Sequence, residues 1–368
     1  FYDLKINNTH ASNKVSAQGS VLVVSNHLNI TDGIFESASD YHDVTIASGA
    51  TLELTGDITV SGNWTNNGTF TAGPHLVTFD GTSAQSISGN NEFYGLKINK
   101  SNNDIIIDSN NTNITVYNNL DLVQGNINLN TNSLYLFTYA PTWATVSNAS
   151  SSSHTYNGKV VYLPHPNPVT YPCGDGTNYR PITLLSNGHL VSVSYLFANQ
   201  NQGSLNSSLS SIETYGWDIQ SGDPIVIPPT SANITIPFDA SYGITDFNNL
   251  TIAMFDGTEW TELPSSVTGT AASGSITTNS SVYLGYSPSL VNRYFALGYK
   301  SIPKTYVPDD NFEAYLETHD ANGNTVSVGD ANSMGDGIAN NDYVTTANIS
   351  GVTSLDVNNQ NIADLTGI

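Results

Sequence analysis

Two groupings of side chains in this sequence have the composition of a working site. The first is a run of acidic, glycine-containing loops. In it Asp320-Ala321-Asn322-Gly323-Asn324 and Asp330-Ala331-Asn332 precede Asp336-Gly337-Ile338-Ala339-Asn340-Asn341-Asp342. Carboxylates and amides alternating around glycine supply the kind of oxygen shell that calcium takes. Asp320, Asn322, Asp330, Asp336, Asn340 and Asp342 are therefore the candidate metal ligands, and calcium is the one ion implied. The spacing is not that of an EF-hand loop, whose glycine would fall on Thr325 and whose closing glutamate would fall on Ala331. Solvated acidic turns would need the same residue types and no ion.

The second grouping is what cleavage of a polysaccharide would require. A lyase needs a base and cations to clamp a uronate, and residues 1–165 offer only Lys5, Lys14, Lys97, Lys100 and Lys159. A hydrolase needs two facing carboxylates, one kept protonated; Asp104 and Asp108 are candidates by proximity alone, and surface turns explain them better. No Gly-x-Ser-x-Gly and no His-Glu-x-x-His occurs. The eight histidines are scattered, and the single Cys173 reads as a core thiol with no base beside it. Tyr117, Tyr135 and Tyr139 could stack on sugars, but tyrosine on strands is first a packing residue. The expectation is a chain with no catalytic residues.

The elements that must carry these residues are almost all strands. Between 44 and 80 short alternating runs (Val44-Thr45-Ile46, Leu52-Glu53-Leu54, Ile58-Thr59-Val60, Trp64, Phe70, Val77-Thr78-Phe79) are separated by Gly49, Gly56, Gly62, Asn67-Gly68 and Gly73. Such brief strands fit a coil that turns a corner at each Gly or Asn. Phe1-Tyr2-Asp3-Leu4-Lys5-Ile6-Asn7 returns as Phe93-Tyr94-Gly95-Leu96-Lys97-Ile98-Asn99, an offset of 92 residues (93 − 1), and Val24, Asn26, Leu28 and Gly33 recur at the same offset. Four or five stacked rungs would fill that unit. The fold class predicted is all-β, a right-handed parallel β-helix over 1–165, with Ala149 to Ser153 as a flexible connector near its end.

Longer strands at wider spacing, with Trp217, Trp260 and Phe295 as core anchors, predict an antiparallel β-sandwich over 166–300. Residues 301–368 hold the one convincing helix, with Asp310 as N-cap and Glu313 closing a capping box. After the acidic loops, Val352, Leu355, Val357, Ile362 and Leu365 have the spacing of one leucine-rich repeat.

Charge sets the outer limits. Nine Lys and Arg stand against 31 Asp and Glu, a formal charge of −22, yet charged residues make up only 11% of the chain, against about 25% in an ordinary domain. So few cations exclude a phosphate-binding surface and nucleic acid as a partner. Apolar runs such as Ile105-Ile106-Ile107 are far too short to enter a bilayer. Stacked rungs explain the rest of the composition: like charges piled in register repel, whereas Asn and Thr hydrogen-bond along the pile.

Gly62-Asn63-Trp64-Thr65-Asn66-Asn67-Gly68-Thr69-Phe70 and Val77-Thr78-Phe79-Asp80-Gly81-Thr82-Ser83-Ala84-Gln85-Ser86-Ile87-Ser88-Gly89 resemble the repeats of very large adhesin-like surface proteins of Bacteroidota, exported by the type IX secretion system. Tyr171-Pro172-Cys173-Gly174-Asp175-Gly176 resembles the opening of a β-sandwich that follows such repeats, with Cys173 where an aliphatic residue is usual. Residues 306–368 resemble the cap and first repeat of leucine-rich regions in that group, with Gln360 in a place usually held by Asn. The resemblance implies a non-catalytic structural or adhesive segment of a longer polypeptide, extracellular or on the bacterial cell surface. Its partners would be other surface proteins, glycans or further copies in a filament. The alternatives are a carbohydrate-active enzyme and a calcium-dependent binding module.

Overall fold

The computed structural model describes residues 1–10, 13–17, 22–101, 104–108, 112–137, 143–163, 165–186, 191–196, 203–221, 231–284 and 293–367. Tyr139 lies outside the described residues. The chain divides into two units, Phe1–Tyr299 and Lys300–Ile368.

The first unit begins as a parallel β-helix of about six turns. One face is built by Asp3–Asn7, Val24–Asp32, Tyr41–Ile46, Trp64–Asn66, Gln85–Ser88, Ile105–Ile107, Ile127–Asn128 and Thr155–Tyr156, each parallel to the next. A second face runs through Ile58–Val60, Leu76–Phe79, Asn91–Asn99, Ile114–Gln124 and Thr145–Ser147. The third starts as a separate sheet of Lys14–Ser16, Ile34–Ser37, Thr51–Leu54 and Thr69–Thr71. Asn91–Asn99 and Ile114–Gln124 are long because each turns a corner, with a register shift between Phe93 and Gly95.

Register piles like on like. Leu4, Leu28, Val44, Trp64, Ile87 and Ile107 are successive partners on the first face. Val24, Tyr41, Val60, Phe79, Ile98 and Leu122 form a second column. All but Leu4 are buried, and each buried aliphatic side chain contributes about 1.5–3 kcal/mol. Where Glu36 and Glu53 pile in register, Lys14 neutralises both, at 2.7 and 2.8 Å.

The abundant Asn and Asp tie one turn to the next. The Oδ1 atoms of Asp40, Asp57, Asp43, Asn63, Asp104 and Asn126 accept from the backbone N–H of Thr59, Leu76, Asn63, Ser86, Asn126 and His154 respectively. Each bond reaches one turn onward, from a corner to a strand start. A short Asx side chain satisfies there an amide that a sheet ladder would otherwise leave open.

The 92-residue repeat is reproduced down to its irregularities. Leu4 pairs with Leu28 and Leu96 with Leu120; a register shift follows Ile6 in the first copy and Ile98 in the second. The two copies nevertheless lie on different faces. Leu4 belongs to the column of Trp64 and Ile87, while Leu96 belongs to that of Val77 and Leu120. The unit therefore advances four full turns and two faces more. Phe1 at the first turn is 75% exposed, whereas Phe93 is fully buried among Trp64, Phe70 and Phe79, so the likeness is one of backbone pairing and not of surroundings.

The expected connector at 149–153 is instead part of the coil. Ser150 and Ser153 close a tight bridge and Ser153 is buried, while Thr145–Ser147, Thr155–Tyr156 and Lys159–Tyr162 complete a further turn. Serines serve here because their hydroxyls satisfy the turn: Ser153 Oγ donates to the Gly125 carbonyl at 2.7 Å.

The last coil strand, Lys159–Tyr162, pairs antiparallel with Val191–Leu196, so one face of the coil runs on into a further sheet. That sheet continues through Leu209–Ser221, Arg293–Lys300, Leu250–Phe255 and Glu259–Leu263. A second antiparallel sheet holds Val169–Tyr171, Ile182–Ser186, Ser231–Asp239, Ser273–Thr278 and Ser265–Thr270. Trp217, Trp260 and Phe295 are all buried.

Candidate functional site

The acidic loops belong to the second unit, where they are arranged by the helix Asp310–Thr318. Its N-cap is Asp309, one residue before the expected Asp310. Asp309 Oδ1 accepts from the N–H of Asn311 and Phe312, both at 3.0 Å, and Oδ2 from those of Ala363 and Asp364. The N–H groups of Ala363 and the helix start hold the Asp309 carboxyl below its usual range, against a smaller opposing effect of desolvation. Glu313 closes no capping box. It is buried and receives the N–H groups of Asn341 and Asp342, each at 2.9 Å. One helical turn on, buried Glu317 receives those of Asp336 and Gly337; burial raises its carboxyl and these two donors pull it back. Two glutamates at i and i+4 on one helix face thus anchor the loop.

The six predicted ligands are not gathered by this arrangement. Asp320 binds the N–H groups of Asn322 and Asn324, and the Asn324 amide first of all lowers its pKa. Asp330 binds the N–H and amide of Asn332. Asp336 accepts from Ile338, from the Asn341 amide and from Lys304 at 2.9 Å. Desolvation is the largest single influence and opposes its ionised form, but Lys304, the Asn341 amide and the Ile338 N–H together outweigh it and hold the carboxyl low. Asn340 and Asp342 sit in left-handed turn conformations, φ 58° and 64°. Among the described residues one carboxylate triad has ligand atoms within 4.8 Å of one another, and it is Asp310, Glu313 and Asp342. Asp342 was anticipated; Asp310 and Glu313 were read only as helix-start residues. Their signal, a carboxylate pair at i, i+3, becomes meaningful only once the loop is known to fold back on them.

Several of the polysaccharide-cleaving candidates are engaged in the coil. Asp104 and Asp108 flank the strand Ile105–Ile107, roughly 13 Å of extended chain apart, beyond the separation that paired catalytic carboxyls need. Asp104 Oδ2 receives the Tyr156 hydroxyl at 2.7 Å. Lys100 is fully buried and donates to the carbonyls of Gly81 and Ser83 and to Gln85 Oε1, at 2.8, 2.8 and 2.6 Å. Burial lowers its pKa, with Asp80 and Asp104 acting the other way. Lys97 faces Asp121 at 3.4 Å, and Lys159 donates to Gln220. Cys173 is buried, its thiol pushed up to about 12 by desolvation.

Where the coil meets the antiparallel sheet lies a strained polar group that the sequence did not flag. Asp218, on Leu209–Ser221, is 6% exposed. Its Oδ2 receives the Gln220 amide at 2.7 Å, while Oδ1 is buried with no hydrogen-bond partner among the described residues. Burial raises its pKa to about 6, with Lys159 and Gln220 restraining the rise.

No protein-family model matches the chain, and no curated protein or solved structure matches it.

Proposed function

We propose that the chain is a non-catalytic structural and adhesive segment of a large secreted or cell-surface bacterial protein of the adhesin-like, type IX-exported kind. In this reading the coil is a right-handed stalk, the two antiparallel sheets form a β-sandwich and residues 301–368 open a leucine-rich region. The observation that carries it is the parallel stacking of about six turns, cross-tied by Asx corners and continued on one face by antiparallel pairing. Such a body is stiff and presents periodic side chains, which suits holding and extending rather than turnover. An antibody against residues 1–299 should label intact source cells without permeabilisation, and deleting the segment should abolish attachment. Labelling only after permeabilisation, or release of reducing ends from polysaccharides by the purified chain, would overturn the proposal. A second reading, a calcium-dependent module, draws on the Asp310, Glu313 and Asp342 carboxylates and requires a calcium-dependent melting temperature.

A further inference from the structure

Three successive turns of the coil place an aromatic side chain at the same corner. Leu76 pairs with Gly95, Gly95 with Asn119 and Asn119 with Thr145. Pro74, Tyr94, Tyr117 and Trp143 each fall one or two residues before those partners. Tyr94 and Tyr117 are half-buried and Trp143 is 39% exposed. Turn succeeds turn at about 4.8 Å, so these residues follow one another along the coil axis, with the Trp143 ring edge-on to His165 at 4.8 Å between centroids. Beside them Phe70, Pro74, Glu92, Tyr94 and Tyr117 line a cleft of about 440 Å³, within the range of small-ligand sites. Glu92 is exposed at its rim and accepts the Tyr117 hydroxyl at 3.0 Å.

The chemistry of this corner selects its ligand. Among the described residues no lysine or arginine lines the cleft, and a chain of charge −22 opposes polyanions. A proline-rich peptide offers backbone carbonyls and almost no donors; the Thr71 and Tyr94 hydroxyls could meet carbonyls, but the exposed carboxylate of Glu92, an acceptor only, would be left unmatched by it. A neutral sugar polymer presents hydroxyl donors to the carboxylate and flat C–H faces to the rings, and its own repeat runs in a line as these residues do. We infer that the corner bearing Tyr94, Tyr117 and Trp143 is a binding track for a neutral polysaccharide. This deepens the adhesive reading and rests on it.

Affinity electrophoresis of the full chain tests the track, in gels containing hydroxyethylcellulose, xyloglucan, arabinoxylan or galactomannan, with polygalacturonate and poly-L-proline as contrasts. Retardation is expected in at least one neutral gel and in neither contrast. Tyr117→Ala and Trp143→Ala should each weaken it about tenfold, the worth of one lost ring contact, and Glu92→Gln should weaken it too. Circular dichroism melting identifies any variant that fails to fold; Tyr94→Phe and Glu92→Gln, which keep most of the side-chain volume, keep the test open in that event. No retardation in any neutral gel, retention by polygalacturonate or poly-L-proline alone, or retention untouched by the folded variants overturns the inference. Release of reducing ends during binding would leave the track standing and remove the non-catalytic reading instead.

Discussion

Replacing Asp218 by Asn should stabilise the protein, and only above about pH 4, where the unfolded carboxyl ionises. The carboxyl is moved by burial from an ordinary value of 3.8 to about 6. At about 1.4 kcal/mol per decade, the ionised form costs the native state about 3 kcal/mol at pH 8. The sign follows from proton counting. Between pH 4 and 6 the folded chain binds more protons here than the unfolded one, so this group's contribution to stability is complete below about 4 and is lost as pH rises through 6. Asn keeps an oxygen for the Gln220 amide and carries no charge at any pH. Thermal unfolding of wild type and Asp218→Asn at pH 4 and pH 8, followed by tryptophan emission from neighbouring Trp217, measures the difference. The variant should melt roughly 5 °C higher at pH 8 and at the same temperature at pH 4. An equal gain at both pH values, or a loss at pH 8, would refute the reasoning that desolvation of this carboxylate is uncompensated.

Three other outcomes follow from the coil and the loops. Lys100→Met should destabilise by about 3 kcal/mol, because the buried acceptors Gly81 O and Gln85 Oε1 lose a charged donor; urea unfolding checks it, and an unchanged midpoint contradicts it. Asn63→Ala removes the tie to Ser86 N–H and Oγ and should cost about 1 kcal/mol, seen as faster amide exchange at Ser86. EDTA should leave the melting temperature of the full chain unchanged, since the loop carboxylates already hold backbone and amide donors; a fall reversed by calcium would favour the second reading given above.

The coil was legible because its determinants are local. Glycine and asparagine at each corner, alternation between them and the repeated Phe-Tyr-x-Leu-Lys-Ile-Asn string all act within a few residues. What could not be read was how many faces lie between the two copies, since turn length varies: Leu28 to Val44 and Trp64 to Ile87 both make one turn with unequal numbers of residues. The serine run at 149–153 has the composition of a linker, and only pairing with earlier turns makes it a corner. Asp309 rather than Asp310 caps the helix because Ala363 and Asp364, distant in sequence, take its second oxygen. The same long-range folding redirects Glu313 to the loop. Val352, Leu355, Val357 and Ile362 pack against the small core of the second unit, yet form no strand. Asp218 was invisible because nothing local distinguishes a carboxylate that will be walled in from one that will be solvated.

The two copies of the repeated string point in different directions around the axis, and this has a consequence for how such a body could have grown. Tandem duplication of the unit lengthens the column without broadening any one side of it, like flights of a spiral stair whose landings open on successive walls. A third copy would open on the wall left unused by the first two, and only a fourth would look out where the first does. Ornament acquired by an ancestral unit would thereby be spread around the circumference by duplication alone.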